Sequence, residues 1–263
     1  MISYRDIVTA FQRLDVPRSR PIIVHASLSS FGDVQGGAPT IVGALLAAFD
    51  TIMAPTFTYQ TMVIPAVGPL NNGLLYGTGD EDNLKAQFFR PDMPVDYRMG
   101  LVAEAVRRHP DVFRSSHPIL SFGGINAKMI LNAQSLAEPL APIHELWKSD
   151  GWVLLLGVDH RSNTSIHYAE RVAGRKQFTR WALTPTGVKE CPRFPGCSDQ
   201  FNEVVPRIRS YTRRVVLGDA WVQAISLAAL VETVIDWIIK DPLALLCENC
   251  PRCQALRFLS TKA

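Results

Sequence analysis

The chain has 263 residues, of which 47% are hydrophobic and 19% are charged. A chain of this length and composition can bury a large core, which excludes disordered, collagen-like and coiled-coil proteins. Lys and Arg number 27 against 24 for Asp and Glu, and the resulting net charge of +3 is too small to indicate nucleic-acid binding.

The first part of the chain alternates between patterns typical of helices and of strands. Ser3 precedes apolar residues at helical spacing, with a carboxylate three residues later as in a capping box, which predicts a helix that runs to about Leu14. The apolar run 21–26 is typical of a strand buried on both faces. A helix over 39–49 and a strand at 51–54 are expected next.

A long loop is expected over residues 62–96, and the alternation returns after it. The predicted elements are a helix at 99–108, a strand at 119–122, a helix after residue 126, another helix, and a strand at 152–158. Asn163 and Thr164 can cap the next helix, which Gly174 would end. The remaining predictions are strands within 177–183 and 214–225 and an amphipathic helix at 227–239. This order is typical of a layered α/β protein with a parallel or mixed sheet.

No repeat or linker divides the chain, so we expect one domain over residues 1–263 with a cysteine-bearing elaboration from about residue 185. The amino terminus lacks the basic and apolar segments of a secretory signal, which favours a cytoplasmic protein. Every apolar run is far shorter than the ~20 residues of a membrane-spanning helix. We therefore expect neither a membrane nor a nucleic-acid partner, and the oligomeric state stays open.

Two loops contain groups that can bind phosphate. The loop over residues 25–39 contains Gly36 and Gly37 just before a helix, where backbone amides can approach an anion such as a diphosphate. It matches neither a P-loop nor a dinucleotide fingerprint, so an ordinary turn is an equal alternative. The segment Arg114-Ser-Ser-His-Pro can bind a phosphate through its arginine and serines, or can form a structural turn.

The most specific pair of reactive residues is His167 and Glu170. They are three residues apart on a predicted helix that directly follows a strand, where ligands bind in α/β sheets. A carboxylate beside an imidazole holds it in one tautomer and makes it a better base. A surface ion pair is the alternative, and the absence of a Gly-x-Ser-x-Gly turn argues against a serine hydrolase.

Five cysteines without a secretory signal are expected to be reduced thiols or metal ligands. Two short clusters lie about fifty residues apart, and together they can supply four thiolates to a tetrahedral zinc ion. The predicted ligands are Cys191, Cys197, Cys250 and Cys253. Cys247 follows an apolar pair and is left as a spare thiol, while packed thiols without metal are the alternative. Four thiolates leave no open position, so such a zinc ion would be structural.

In their order along the chain, several motifs resemble the aminoglycoside 3-N-acetyltransferase family, also called the antibiotic N-acetyltransferase family. The motifs are Val24-His-Ala-Ser-Leu, Gly36-Gly-Ala, Ala54-Pro-Thr, Arg114-Ser-Ser-His-Pro, Leu154-Leu-Leu-Gly-Val and Asn163-Thr-Ser-Ile-His-Tyr-Ala-Glu. The likeness covers roughly residues 21–174 and is looser beyond, where the cysteines resemble those of a cysteine-bearing subgroup.

The resemblance implies a three-layer α/β/α fold with a central mixed sheet and an acyltransferase that acetylates an amine from acetyl-coenzyme A. It implies that His167 is the general base, that Glu170 orients it, and that Thr164 or backbone amides stabilise an oxyanion. It also places coenzyme A against His25, Ala26, Ser27, Leu28, Gly32, Val34, Gly36, Gly37, Ala38, Ser115, Asn163 and Thr164.

A polycationic aminoglycoside needs carboxylates in its cleft, because an unpaired ammonium is costly to desolvate. Asp80, Glu81 and Asp82 in the long loop and Asp199 after the second cysteine are the candidates, with Asp82 and Asp199 chosen as substrate residues. These regions depart from the known resistance enzymes, so the substrate is either an antibiotic or another small amine. The alternative function is a non-catalytic scaffold protein that binds coenzyme A or zinc.

Overall fold

The computed structural model describes residues 1–260. Its strands are β1 (Ile22–Ala26), β2 (Ile52–Pro55), β3 (Met62–Val63), β4 (Phe113–Arg114), β5 (Phe122–Ile125), β6 (Trp152–Leu156), β7 (Phe178–Thr184), β8 (Gly187–Phe194), β9 (Thr212–Leu217) and β10 (Ala220–Ser226). Its helices are α1 (Tyr4–Arg13), α2 (Gly37–Ala48), α3 (Asp80–Lys85), α4 (Gly100–Arg107), α5 (Lys128–Leu131), α6 (Ala141–Lys148), α7 (Thr164–Val172), α8 (Val205–Ile208), α9 (Leu227–Lys240) and α10 (Pro251–Ser260).

Seven strands form a central mixed sheet in the order β4-β5-β2-β1-β6-β10-β9. β1 lies parallel to both β2 and β6, and antiparallel strands extend the sheet on either side. A second sheet, β3-β7-β8, is antiparallel. The carboxyl ends of β1, β2 and β6 therefore meet at one edge of the central sheet, where a ligand can reach all three.

Helices cover both faces of the central sheet, because successive side chains of its middle strands point to opposite sides. In β6, Val153 and Leu155 belong to a core cluster with α6, α7 and α9. Leu154 and Leu156 belong to a second cluster with α1, α2 and α4. This arrangement confirms the predicted three-layer α/β/α fold, and it explains why strands such as β6 are apolar along their whole length.

Most predicted elements are present, and the capping box at Ser3 forms as expected, with Asp6 N donating to Ser3 Oγ and Ser3 N to Asp6. The strand predicted at 119–122 instead begins at Phe122, because the amides of Ile119 and Leu120 donate to His117 Nδ1 in a turn. The stretch 214–225 is a hairpin of β9 and β10, whose turn contains Gly218 with a φ of 57°.

The loop at 62–96 is not structureless: it contributes β3 and α3, and its Asn72 side chain bonds to the Thr179 backbone of β7. The loop is therefore packed against the second sheet. The described part of the chain contains no helix with the length and apolar character needed to cross a membrane.

Candidate active site

A cavity of about 580 Å³ opens at the carboxyl ends of β1, β2 and β6. Residues 24–29 continue from β1 into it, and Ala54 and Pro55 end β2 beside it. Residues 161–164 border it on the β6 side, and 97–103 and 194–196 form further walls. The cavity thus lies where the topology of the central sheet predicts a ligand site.

His167 lies in this cavity, one turn inside α7. Asn163 caps the helix, its side-chain oxygen accepting from Ser165 N at 3.1 Å, and this cap fixes where the first turn begins. The His167 side chain is 11% exposed, and its ring packs against Phe201 with centroids 4.7 Å apart. The imidazole is therefore held in one place and still borders the cavity.

His167 Nδ1 lies 2.7 Å from Glu170 Oε2, which confirms the contact expected from their spacing. When Nδ1 carries the proton and donates to the carboxylate, the lone pair is on Nε2. This geometry can support proton abstraction, with the imidazole as the base and the carboxylate orienting it.

Glu170 has a second partner that the sequence did not predict. The side chain of Arg175 is buried and donates to Glu170 Oε1 at 2.6 Å, and it also donates to the carbonyls of Pro242 and Ala244. Glu170 is almost completely buried, so the guanidinium compensates a charge that would otherwise be costly there. Each carboxylate oxygen then has one partner, which fixes the orientation of the group that holds His167.

Part of the predicted coenzyme A site lines the cavity. These residues are His25, Ala26, Ser27, Leu28, Asn163 and Thr164. His25 Nε2 is buried without a hydrogen-bond partner among the described residues, and burial, with a smaller effect of His160, lowers the pKa of His25 to about 3. A neutral ring with an unpaired nitrogen on the cavity wall suits a neutral ligand group such as an amide, so these residues fit a pantetheine chain.

The other predicted coenzyme A residues do not line the cavity, and each is used within the fold. They are Gly32, Val34, Gly36, Gly37, Ala38 and Ser115. The backbone on either side of Val34 pairs with Ile2, which holds the glycine segment against the amino terminus. Ser115 Oγ accepts from Phe122 N and donates to Phe122 O, so its hydroxyl is occupied by strand pairing.

Arg114 is a structural residue rather than a phosphate ligand. Its guanidinium donates to three backbone carbonyls, those of Thr56, Pro91 and Met93, and to the Ser121 hydroxyl. These bonds tie β2 and the long loop to β4. Four of the five N–H donors of Arg114 are thus used within the protein, which leaves little capacity for a ligand.

The two carboxylates predicted to bind substrate lie elsewhere. Asp82 is on the exposed helix α3, where it faces Lys85, and Asp199 lies one residue beyond the cavity-lining Ser198. Neither lines the cavity. The predicted acidic cleft is therefore not found at His167, because the loop that carries Asp82 packs on the second sheet instead of across the cavity mouth.

Several aromatic and basic residues of the cavity were missed by sequence reasoning. Arg98, Arg252 and Tyr59 come from three distant segments, and no local pattern connects them. The Arg98 guanidinium lies 5.7 Å from the Tyr59 ring centroid, and burial raises the pKa of Tyr59 to about 12. Arg252 stands between Cys250 and Cys253, so the cysteine motif was the only feature that singled out its neighbourhood.

Four cysteines form a cluster whose sulfur atoms all lie within 4.8 Å of one another: Cys197, Cys247, Cys250 and Cys253. This corrects the predicted ligand set, because Cys247 joins the cluster and Cys191 does not. Cys191 lies within β8, opposite Arg180 of β7, and burial raises its pKa to about 12, which disfavours a thiolate there. The turn at residues 242–245 brings Cys247 toward Cys197, at 3.8 Å between their sulfurs.

Comparison with known proteins gives a consistent assignment. A sequence profile described as Aminoglycoside 3-N-acetyltransferase matches residues 23–239. The aminoglycoside N(3)-acetyltransferase III of Salmonella sp is 33% identical over 181 residues, a region that is 66% of this chain and 62% of that relative's length.

Solved structures agree with the fold. The apoenzyme of aminoglycoside acetyltransferase AAC(3)-IVa is similar with a TM-score of 0.79 and 24% identity, over 98% of this chain and 97% of that one. A binary structure of AAC-IIIb with CoASH is similar with a TM-score of 0.72 and 22% identity, over 90% of this chain and 96% of the other. At these identities the likeness concerns the fold.

Proposed function

Because the chain belongs to the aminoglycoside 3-N-acetyltransferase family, we propose that it transfers an acetyl group from acetyl-coenzyme A to an amino group of an aminoglycoside or a related small amine. The observation that carries the proposal is the His167–Glu170 pair beside a cavity at the carboxyl ends of parallel strands. AAC-IIIb, which shares this fold, forms a binary complex with CoASH, and this supports the choice of co-substrate.

In this proposal His167 Nε2 takes a proton from the ammonium form of the substrate, whose nitrogen then has a lone pair for attack. Bound acetyl-coenzyme A would supply the acetyl group as a thioester, so that a carbon–nitrogen bond forms and the carbon–sulfur bond breaks. The imidazolium gives its proton to the departing sulfur, coenzyme A leaves as the thiol, and the second proton of the nitrogen is released to solvent. Glu170 accepts the Nδ1 hydrogen bond and stabilises the imidazolium that results. Thr164 also lines the cavity, and its hydroxyl can donate to developing negative charge on the carbonyl oxygen.

Residues on the β1 side hold the co-substrate. His25, whose ring is neutral, Ala26 and Ser27 line the same cavity as Asn163 and Thr164. A pantetheine chain between these walls would bring its thioester toward His167. The apolar side chain of Leu28 adds contact area that excludes water from this part of the cavity.

The test measures thiol release from acetyl-coenzyme A in the presence of a broad amine panel. We expect turnover in the native protein and a loss of about 10²–10⁴ in kcat for His167→Ala, because general-base catalysis contributes about that factor. His109→Ala, a histidine outside the cavity, is the matched control and keeps its activity.

A non-catalytic scaffold protein is the competing function, and the same experiment separates the two. No turnover with any amine, together with a melting temperature that coenzyme A leaves unchanged, would contradict the proposed activity, since a ligand that binds the folded state must stabilise it.

We also propose that Cys197, Cys247, Cys250 and Cys253 hold a structural zinc ion. A tetrahedral ion with zinc–sulfur bonds of about 2.3 Å requires sulfurs about 3.8 Å apart, and the Cys197–Cys247 separation is 3.8 Å. Four thiolate ligands leave no open position for substrate, so the metal would be structural. It would join the segment after β8 to the start of α10.

A further inference from the structure

We infer that the amine substrate carries an acidic group, a phosphate or a carboxylate, and that Arg98 and Arg252 bind it. The inference rests on the proposed acetyl transfer and specifies the substrate class within it. It follows from the charge of the cavity wall, from the partners of its arginines, and from where those arginines stand relative to His167.

The cavity wall is basic. Arg98, Arg161 and Arg252 line it, and within residues 1–260 its lining contains no aspartate or glutamate. The two buried carboxylates nearby are already engaged: Glu170 is bonded to His167 and Arg175, and Asp96 accepts from the backbone N of Arg98. A polycation placed here would meet like charges and find no carboxylate to replace its hydration, which is unfavourable.

The three arginines differ in whether a carboxylate already pairs with the guanidinium group. Arg161 pairs with Asp159 at 2.7 Å, whereas the Arg98 guanidinium comes no closer than 4.0 Å to the Asp96 carboxylate. The Arg98 Nε donates only to the Tyr97 hydroxyl, at 3.3 Å. Arg252 donates to the Pro195 carbonyl at 3.2 Å, and no ion pair with a carboxylate of the described chain includes it. The guanidinium groups of Arg98 and Arg252 therefore retain most of their capacity to bind an anion.

Arg98 and Arg252 act in one region of the wall. Both are close enough to Tyr59 to lower its pKa against the larger effect of burial, and the Tyr59 ring packs on Phe194 at 6.4 Å between centroids. Tyr59 thus remains a neutral phenol near both cations. An anion bound there could receive charge-assisted hydrogen bonds from both guanidinium groups.

This region lies close to the Glu170 carboxylate that holds His167. Arg252 is bonded to Pro195, and the next residue, Gly196, lies so near Glu170 that a Cβ there would be 3.8 Å from Oε2. Arg161 stands instead on the turn before Asn163, beside the residues proposed for coenzyme A. The two arginine regions are therefore distinct: Arg161, which pairs with Asp159, lies beside the residues proposed for the co-substrate, whereas Arg98 and Arg252 are available to the amine.

Contacts with two other parts of the chain fix the position of Arg252. It lies between two cysteines of the four-sulfur cluster, and Gly73 of the long loop packs so closely that a Cβ there would be 2.6 Å from Arg252 Cγ. Gly73 has a φ of 56°, a conformation that glycine adopts readily. Because the cysteine cluster and Gly73 both restrict Arg252, its side chain loses less conformational freedom when it binds a ligand.

The experiment compares amines that differ only by an acidic group. The three matched pairs are glucosamine 6-phosphate with glucosamine, O-phosphoethanolamine with ethanolamine, and β-alanine with propylamine, and gentamicin is the polycationic reference. We expect at least one acidic amine to exceed its neutral partner and gentamicin about tenfold or more in kcat/KM. Arg252→Gln and Arg98→Gln should each remove about tenfold through KM for that amine, with the KM for acetyl-coenzyme A unchanged. Arg5→Gln, on the exposed surface of α1, is the control.

Two results would overturn the inference: none of the acidic amines being preferred, or the arginine variants raising the KM for acetyl-coenzyme A instead of that for the amine. Calorimetric binding of the same pairs separates this inference from the proposed function. Preferential binding of an acidic amine, lost in Arg252→Gln, supports the inference even where no acetyl transfer occurs, and equal binding of both members of every pair contradicts it.

Discussion

The contact between His167 Nδ1 and Glu170 Oε2 joins two side chains that are nearly buried. An exposed pair at this spacing on a helix would contribute only about 0.3–0.5 kcal/mol. In the buried pair, the geometry is held by Phe201 on the ring and by Arg175 on the carboxylate. The helix spacing alone predicted the contact, whereas its rigidity comes from residues on other segments.

Buried histidines make the stability of the protein depend on pH. Burial lowers the pKa of His117 from 6.5 to about 4, and its Nδ1 accepts from two backbone amides. Between these values the unfolded chain binds a proton that the folded chain does not, so the free energy of unfolding falls as the pH drops from about 6.5 to about 4. Near pH 5 this histidine accounts for a loss of about 2 kcal/mol relative to neutral pH.

His117→Asn tests this effect, because the asparagine oxygen can accept from the same amides and does not titrate. Urea unfolding at about pH 7.5 and about pH 5 should show a loss of stability that is smaller by about 2 kcal/mol in the variant. An equal loss in both proteins would mean that His117 is not the titrating group.

The strand-to-helix connection from β6 to α7 depends on a close approach at Gly157. Gly157 has a φ of 67°, and a Cβ there would lie 2.8 Å from Ser30 Cβ and 3.2 Å from the Ser27 carbonyl. The β1 loop that holds the proposed coenzyme A residues thus packs directly on the end of β6. A side chain at position 157 would therefore push against the loop that lines the cavity.

Gly157→Ala should therefore displace the Ser27 loop and raise the KM for acetyl-coenzyme A about tenfold, in addition to a backbone cost of about 1 kcal/mol. Gly174→Ala is the matched control: its φ is 82°, but nothing lies within 4 Å of the added Cβ. A similar KM in the two variants, measured by steady-state kinetics, would show that the close approach does not control the cavity.

At the scale of the whole molecule, the chain after α9 packs against residues of the candidate site. Arg175 is bonded to the turn after α9, and the cysteine cluster joins the segment after β8 to α10. One connection ends at Glu170, which holds His167, and the other at Arg252 on the cavity wall. The carboxyl-terminal region thus helps to position Glu170 and Arg252.

The zinc proposal predicts about one zinc per chain by elemental analysis, lost in Cys250→Ser and retained in Cys191→Ser. At free zinc about a thousandfold above its Kd, bound metal stabilises by about 4 kcal/mol, so the metal-free form should melt about 10 °C lower. A folded protein without metal, or loss of metal in Cys191→Ser with retention in Cys247→Ser, would contradict the assigned ligands.

Local patterns predicted a large part of the fold and the centre of the site. Both faces of β1 and β6 are buried, so their sequences are continuously apolar, and the capping residues Ser3 and Asn163 lie next to the helices they begin. Such features depend on residues a few positions apart, which sequence spacing shows directly. The same argument found His167 and Glu170.

Other contacts required the folded chain, since they join residues far apart in sequence. Cys247 rather than Cys191 completes the sulfur cluster because of a turn and a strand pairing that spacing does not reveal. Arg98, Tyr59 and Arg252 meet only where three segments converge. Whether Asp82 reaches the cavity was likewise decided by how a long loop packs. Contacts between residues a few positions apart can be predicted from sequence spacing. The charge of a cavity depends instead on which distant segments border it, and only the folded chain shows this.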